Sequence, residues 1–149
     1  MREILFKAKR LSDGRWVIGN LVLSDDVEEG YKALIIPCFD AGMYTRDYQI
    51  DLGIENWYAV DPSTICQYTG LTDKDGNKIW ENDIVVFLDA SQYDNGYAEY
   101  YCTGKVVWDE ETLSFQVTER LSCESYEALC DCVVKGNIFD NPELLKGGE

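Results

Sequence analysis

The residues best suited to chemistry lie between positions 73 and 84. Asp73-x-Asp75-x-Asn77 matches the first three oxygen ligands of a calcium loop in type and spacing. The rest of that loop does not follow: its sixth position requires Gly and is Lys78, and its twelfth requires a bidentate Glu and is Ile84. Asp75-Gly76 is also a hairpin signal, so the stretch reads as a polar reversal between two strands.

The six cysteines (Cys38, Cys66, Cys102, Cys123, Cys130, Cys132) contain no Cys-x-x-Cys pair, and the chain has no histidine. A zinc site would need three or four thiolates drawn from scattered positions. Cys130-x-Cys132 would place both thiols on one face of a strand, which suits packing as well as ligation. Without histidine, Ser-His and Cys-His activation is impossible within the chain, and no glycine-rich phosphate cradle occurs. The 28 acidic residues make carboxylate pairs unavoidable, with nothing to mark two of them as acid and base. The expectation is a protein without catalysis, cofactor or metal.

Those 28 acids stand against 13 basic residues, a formal charge of −15. Such a chain is repelled by phosphate backbones overall, so bulk charge argues against nucleic acid as a partner. Five of the basic residues (Arg2, Lys7, Lys9, Arg10, Arg15) nevertheless fall in the first 15 positions. This basic hairpin is expected to dock on the acidic body or a neighbouring subunit rather than form a nucleic-acid patch. The same residues interrupt any apolar secretory core, which implies a reducing, cytoplasmic compartment. No apolar run approaches the ~18 residues of a membrane span.

The elements that must position these residues are mostly strands. Glu3 to Lys9 alternates, with Ile4, Phe6 and Ala8 on one face. Ser12-Asp13-Gly14 turns the chain, and Arg15 to Leu23 returns with Trp16 and Ile18 together on one face. Tyr31 to Phe39 is another apolar run, interrupted by Pro37, which favours an edge or a strand end. Residues 40 to 56 read as loop with one short strand at most. Asp61-Pro62-Ser63 marks a capped turn.

From Asp83 the pattern is clearest, with apolar residues on both faces as in a central strand. A two-residue turn at Asn95-Gly96 would set Leu88 opposite Thr103, Ile84 opposite Val107 and Gly104 opposite Phe87. Asp109-Glu110-Glu111 turns the chain into a strand from Ser114 to Thr118. Ser122 to Asp131 is the one candidate helix, Val133 to Phe139 a last strand, and Asn141-Pro142-Glu143 a capped terminal turn. Three consecutive antiparallel strands bent at Gly104 resemble part of an SH3-like barrel.

The fold class expected is therefore mainly β with minor α: antiparallel strands, an SH3-like partly open barrel in the C-terminal half, and an N-terminal β-hairpin. Residues 1–60 would form the hairpin and an irregular β region. Residues 61–149 would form the barrel-like region with a short helix and a terminal turn, the two parts separate or continuous. At this length roughly 70% of the unfolded surface can be buried, so a core forms without staples.

Four blocks carry a family resemblance: Gln67-Tyr68-Thr69-Gly70-Leu71, Asp73-Lys74-Asp75-Gly76-Asn77-Lys78-Ile79, Asp83-Ile84-Val85, and Gly136-Asn137-Ile138-Phe139-Asp140-Asn141-Pro142-Glu143-Leu144-Leu145. Together with Arg2-Glu3-Ile4 and Gly14 to Gly19, the chain resembles the YopX family of small phage and prophage proteins. The resemblance implies a mostly β protein from a mobile element and no agreed activity. The family usually has Gly before the Asp-Ile-Val triplet where this chain has Asn82, the non-Gly residue most tolerant of positive φ. Gln67, Tyr68, Gly70, Asp83 and Asn137 match the family blocks, and most of them also have a structural reading as turn or strand-pairing residues.

Tyr93, Tyr97, Tyr100 and Tyr101 cluster around Asn95-Gly96, and can be read either as a contact surface or as ordinary packing. The leading functional reading is a phage accessory protein that binds a host or phage protein, or itself, through β surfaces. An acidic decoy for a host DNA-binding protein is the first alternative, and a nucleic-acid binder using Lys7, Lys9 and Arg10 is the second.

Overall fold

A computed structural model describes residues 2–25, 32–46, 51–88, 101–118 and 129–146. The chain divides into two compact units, Met1–Gln67 and Tyr68–Glu149. The described structure is mainly β with antiparallel sheets, as expected; among the described residues there is no complete α-helix, and the strands form open sheets rather than a closed barrel.

In the first unit, β1 (Phe6–Lys9) and β2 (Trp16–Leu23) form the expected hairpin, with Lys9 opposite Trp16 and Lys7 opposite Ile18. β3 (Ala33–Pro37) pairs along the other edge of β2 and ends at Pro37, where the missing N–H costs no ladder bond. β6 (Tyr58–Ala59) continues the sheet beyond β3. Ala8, Val17, Ala33, Ile35 and Val60 form the core on one sheet face. Residue 40–56 departs from expectation: β4 (Met43–Arg46) and β5 (Asp51–Ile54) form a two-stranded ribbon. Gly53 allows this pairing, since a Cβ there would meet the Tyr44 ring at 2.4 Å. A second departure lies at the N-terminus, where Leu5 is buried and Ile4 exposed. β1 begins only at Phe6, so strand alternation does not extend back to these residues.

Asp61 caps a 3-10 turn at Pro62–Thr64 as expected, its Oδ1 accepting the Ser63 N–H at 2.9 Å and the Ser63 hydroxyl at 2.7 Å. Those two hydrogen bonds, side chain first, hold the Asp61 carboxyl below its ordinary pKa. The buried Thr64 hydroxyl accepts the Lys9 N–H and donates to the Asp61 carbonyl, which fixes this turn against β1.

β7 (Cys66–Thr72) belongs to both units: Cys66 and Gln67 pair with Lys7 and Phe6, whereas Tyr68 and Thr72 pair with Trp80 and Lys78 of β8 (Lys78–Trp80). The second unit also holds a four-stranded antiparallel sheet in the order β11-β10-β9-β12, made of β9 (Asp83–Leu88), β10 (Tyr101–Asp109), β11 (Ser114–Thr118) and β12 (Cys132–Asn137). β9 is a central strand buried on both faces, as its composition requires. Val85, Phe87, Val106, Phe115 and Cys132 from this sheet pack with Ile79 of β8 and with Leu129.

The β9–β10 register differs by two residues from the expected one. Val86 lies opposite Thr103, Val85 opposite Gly104 and Ile84 opposite Lys105. A shift of two preserves which face each side chain occupies, so hydrophobic alternation cannot distinguish the two registers. Gly104 is required by β11 instead: a Cβ there would lie 2.3 Å from Val117 Cγ1 and 2.5 Å from the Thr118 carbonyl oxygen. The expected helix at Ser122–Asp131 falls mainly on residues 119–128, outside the described residues. Leu129 and Cys130 have helical backbone, and β12 begins only at Cys132. Cys130 and Cys132 therefore do not share a strand face; the first is exposed and the second buried.

Candidate protein-interaction face

The motif residues between positions 67 and 83 form a braced hairpin. Gly70 adopts φ +90° where three residues of β7 (69–71) oppose only Ile79 of β8, a bulge that a side chain would strain. The Thr69 hydroxyl ties the bulge down, donating to the Ile79 carbonyl at 2.8 Å and accepting the Leu71 N–H. Tyr68 is buried against Trp80, ring centroids 5.4 Å apart, and Lys78 Nζ lies 4.3 Å from the Tyr68 centroid. Gln67 is half-buried and pairs with Phe6 in β1.

Asp83 is also buried, and its Oδ2 accepts the Trp80 N–H at 2.8 Å, closing the turn between β8 and β9. Asn82, in that turn, has φ +66°, the left-handed conformation that Asn tolerates best among non-Gly residues. Its N–H donates to the Val106 carbonyl, and its carbonyl accepts the Ile138 N–H. Asn137 pairs opposite Asp83, and its Oδ1 accepts the N–H groups of Phe139 and Asp140, both at 3.0 Å. Asn141 precedes the 3-10 turn Pro142–Leu145, but its side chain does not cap that turn; Oδ1 instead accepts the Asn137 N–H at 3.4 Å.

The Asp73 carboxylate serves the same kind of purpose. Oδ1 accepts the N–H groups of Asp75 and Asn77, and Oδ2 accepts the Asn77 side-chain amide and the Val134 N–H. Burial opposes ionisation of this group, and the hydrogen bonds led by Val134 and Asn77 overcome it, so its pKa falls below the ordinary value. No group of three or more Cys, Asp or Glu side chains that could hold a metal ion occurs among the described residues. No described helix is long and apolar enough to cross a membrane.

Of the expected tyrosine surface, Tyr93, Tyr97 and Tyr100 lie outside the described residues. Tyr101 begins β10 opposite Leu88 and is 65% exposed.

A different surface emerges from the first unit. Along β2, Val17 and Gly19 face the core, while Trp16, Ile18, Asn20 and Val22 face the other way. Ile18 is 44% and Val22 38% exposed, and the partners of Asn20 and Val22 on β3 are Ile36 and Leu34. An antiparallel sheet with one solvated face normally shows polar residues there, and this sheet is largely apolar on both. Lys7 and Lys9 border the face on β1, their Nζ atoms 5.1 and 5.4 Å from the Trp16 ring centroid. Arg10 stacks at 4.4 Å over Tyr58 and pairs with Asp13, which also pairs with Arg15. The sequence signal for this face was the apolar character of residues 16–23 on both faces, interrupted at Gly19-Asn20, against the alternation of a half-buried strand.

A family model described as YopX protein matches residues 9–146. The chain belongs to the YopX family. A crystal structure of protein EF1440 from Enterococcus faecalis is similar to this YopX chain over 97% of its length and 99% of the other chain, at 22% identity and a TM-score of 0.58. At that identity the likeness extends to the fold alone. No curated protein matches the YopX chain.

Proposed function

We propose that this YopX protein is a non-catalytic interaction module of a phage or prophage, acting in the cytoplasm by binding a host or phage protein or a second copy of itself. The observation that carries the reading is the second apolar face of the N-terminal sheet, where Trp16, Ile18 and Val22 line a strand that already buries Val17 on its other side. A core face stabilises the monomer, and an additional apolar face on the same sheet is the usual mark of a docking surface. The motif residues fit this reading, since the carboxylates of Asp73 and Asp83 and the amide of Asn137 hold backbone N–H groups rather than converging on a cleft.

Affinity capture of the tagged protein from induced host cells, beside an Ile18→Asp variant, tests the proposal. A partner retained by the first and lost by the second supports it. A second reading, the acidic decoy, draws on the Tyr68–Glu149 unit, where 17 acidic residues stand against 6 basic. It predicts capture of a basic DNA-binding protein that is released at high salt and is indifferent to Ile18→Asp.

A further inference from the structure

We infer that Asp75-Gly76 is a modification site, where the main chain isomerises to isoaspartate with water as the only other reactant, and that hydrogen bonds to Asp73 set its rate. The inference is independent of the interaction module. The chain has two Asp-Gly pairs, Asp13-Gly14 and Asp75-Gly76, and both are exposed. They differ in what holds the carboxyl group. Asp13 Oδ1 accepts the Arg15 N–H at 3.0 Å, and its Oδ2 pairs with Arg10 and Arg15. The Asp75 carboxyl makes no hydrogen bond or ion pair among the described residues. Its neighbour Gly76 has no side chain to shield the peptide nitrogen, and no atom lies within 4 Å of where a Cβ would stand.

The Gly76 backbone nitrogen attacks Asp75 Cγ: an N–Cγ bond forms, the carboxyl OH leaves with the amide proton as water, and a five-membered succinimide results. Water then adds back at either carbonyl. Where the original peptide C–N bond is the one that breaks, the chain runs on through Cγ, with no net change in mass or oxidation state. Closure requires the Gly76 nitrogen to eclipse Asp75 Cβ, and the fold holds it elsewhere. The Gly76 N–H donates to the Asp73 carbonyl at 3.0 Å, and neither Lys74 nor Asp75 has positive φ, so residues 73–76 form a type I turn with ψ of Asp75 at about 0°. Asp73 Oδ1 accepts the N–H groups on either side, of Asp75 at 2.9 Å and of Asn77 at 2.8 Å. Closure must break this turn, so its rate follows the fraction of molecules in which Asp73 has released it. The added methylene lies between the two N–H groups that Oδ1 holds, so the modified turn loses that fit.

The test incubates the full chain at mildly acidic pH, folded and in concentrated urea. Isoaspartate is counted by methyl transfer from S-adenosylmethionine with an isoaspartyl methyltransferase and located by peptide mapping. In the folded parent it is expected at Asp75 ahead of Asp13, and at least tenfold more slowly than in urea. Asp73→Asn, shown to be folded by its thermal melt, should raise the rate at Asp75 at least threefold and leave Asp13 unchanged, and Asp75→Glu should remove the site. Equal rates at Asp75 in the folded and unfolded parent, no isoaspartate at Asp75 in either, or Asp13 modified first in the folded chain would each overturn the inference. So would an equal rise at both sites in Asp73→Asn, which would make global unfolding the gate. The folded-to-urea ratio and the order of the two sites decide the matter in the parent even where Asp73→Asn does not fold.

Discussion

The carboxylate of Asp73 accepts the backbone N–H of Val134 at 3.0 Å across 61 residues of sequence. The neighbouring Lys74 N–H donates to the Cys132 carbonyl, so the turn between β7 and β8 satisfies the side of β12 that faces away from β9. An exposed sheet edge would otherwise invite pairing with another chain. The residue that most resembles a calcium ligand in sequence is a clasp between a hairpin turn and a sheet edge.

Replacing Asp73 by Ala leaves the N–H groups of Val134, Asn77 and Asp75 without their acceptor in a partly buried site. Hydrogen bonds to a charged acceptor contribute roughly 1.5–3 kcal/mol each and are not additive, so a loss on the order of 3 kcal/mol is expected. Asp73→Asn keeps one acceptor oxygen and should lose less. Urea denaturation measures both, and a midpoint unchanged in Asp73→Ala would contradict the clasp.

The same clasp sets an acid limb. The carboxyls of Asp73, Asp61 and Asp109 all titrate below their ordinary value of 3.8 in the folded chain. In the unfolded chain they bind protons first as pH falls, so the stability they contribute is full well above 3.8 and is lost as pH drops through the folded values. Stability should be flat near neutral pH with respect to these groups and decline below about pH 4–5. Thermal melts of Asp73→Asn should show a shallower decline than the parent between pH 5 and pH 3, and identical slopes would contradict the assignment.

Asn82 holds φ +66° in the turn that Asp83 closes. Asn82→Gly should be tolerated, because glycine enters this region without a Cβ penalty, whereas Asn82→Val should cost about 1–2 kcal/mol. Thermal shifts of the two variants relative to the parent measure the difference. Equal destabilisation would place the role of Asn82 in its side chain instead.

The cysteines should separate by reactivity. Burial foremost, with the Asp73 carboxylate adding to it, pushes the Cys132 thiol up to about 11, while Cys38 and Cys130 are exposed. The thiolate is the reactive form, so iodoacetamide at pH 8 should modify Cys38 and Cys130 well before Cys132. Mass spectrometry of a time course reads the order, and early labelling of Cys132 in the folded protein would contradict its burial.

Much of this architecture is legible from local patterns. The β1–β2 hairpin, the central character of β9, the β11 strand and the turns at Asp61 and Pro142 each follow from alternation, turn residues or capping within a few positions. The β9–β10 register was not legible, because two-residue shifts conserve the faces on which alternation depends. Neither was the β4–β5 ribbon, whose pairing depends on Gly53 admitting the Tyr44 ring rather than on a periodic apolar run. The clasp from Asp73 to Val134 joins residues whose separation no local rule spans. The apolar second face was visible in residues 16–23 but acquired meaning only when Val17 proved to be its buried opposite.

The most direct test of the interaction module is affinity capture from induced cells with the parent protein and Ile18→Asp, after confirming equal thermal stability of the two. The proposal predicts a stoichiometric protein partner, or a second copy of the chain, retained by the parent and lost by Ile18→Asp. A partner held equally by both proteins, or none held by either, would contradict it.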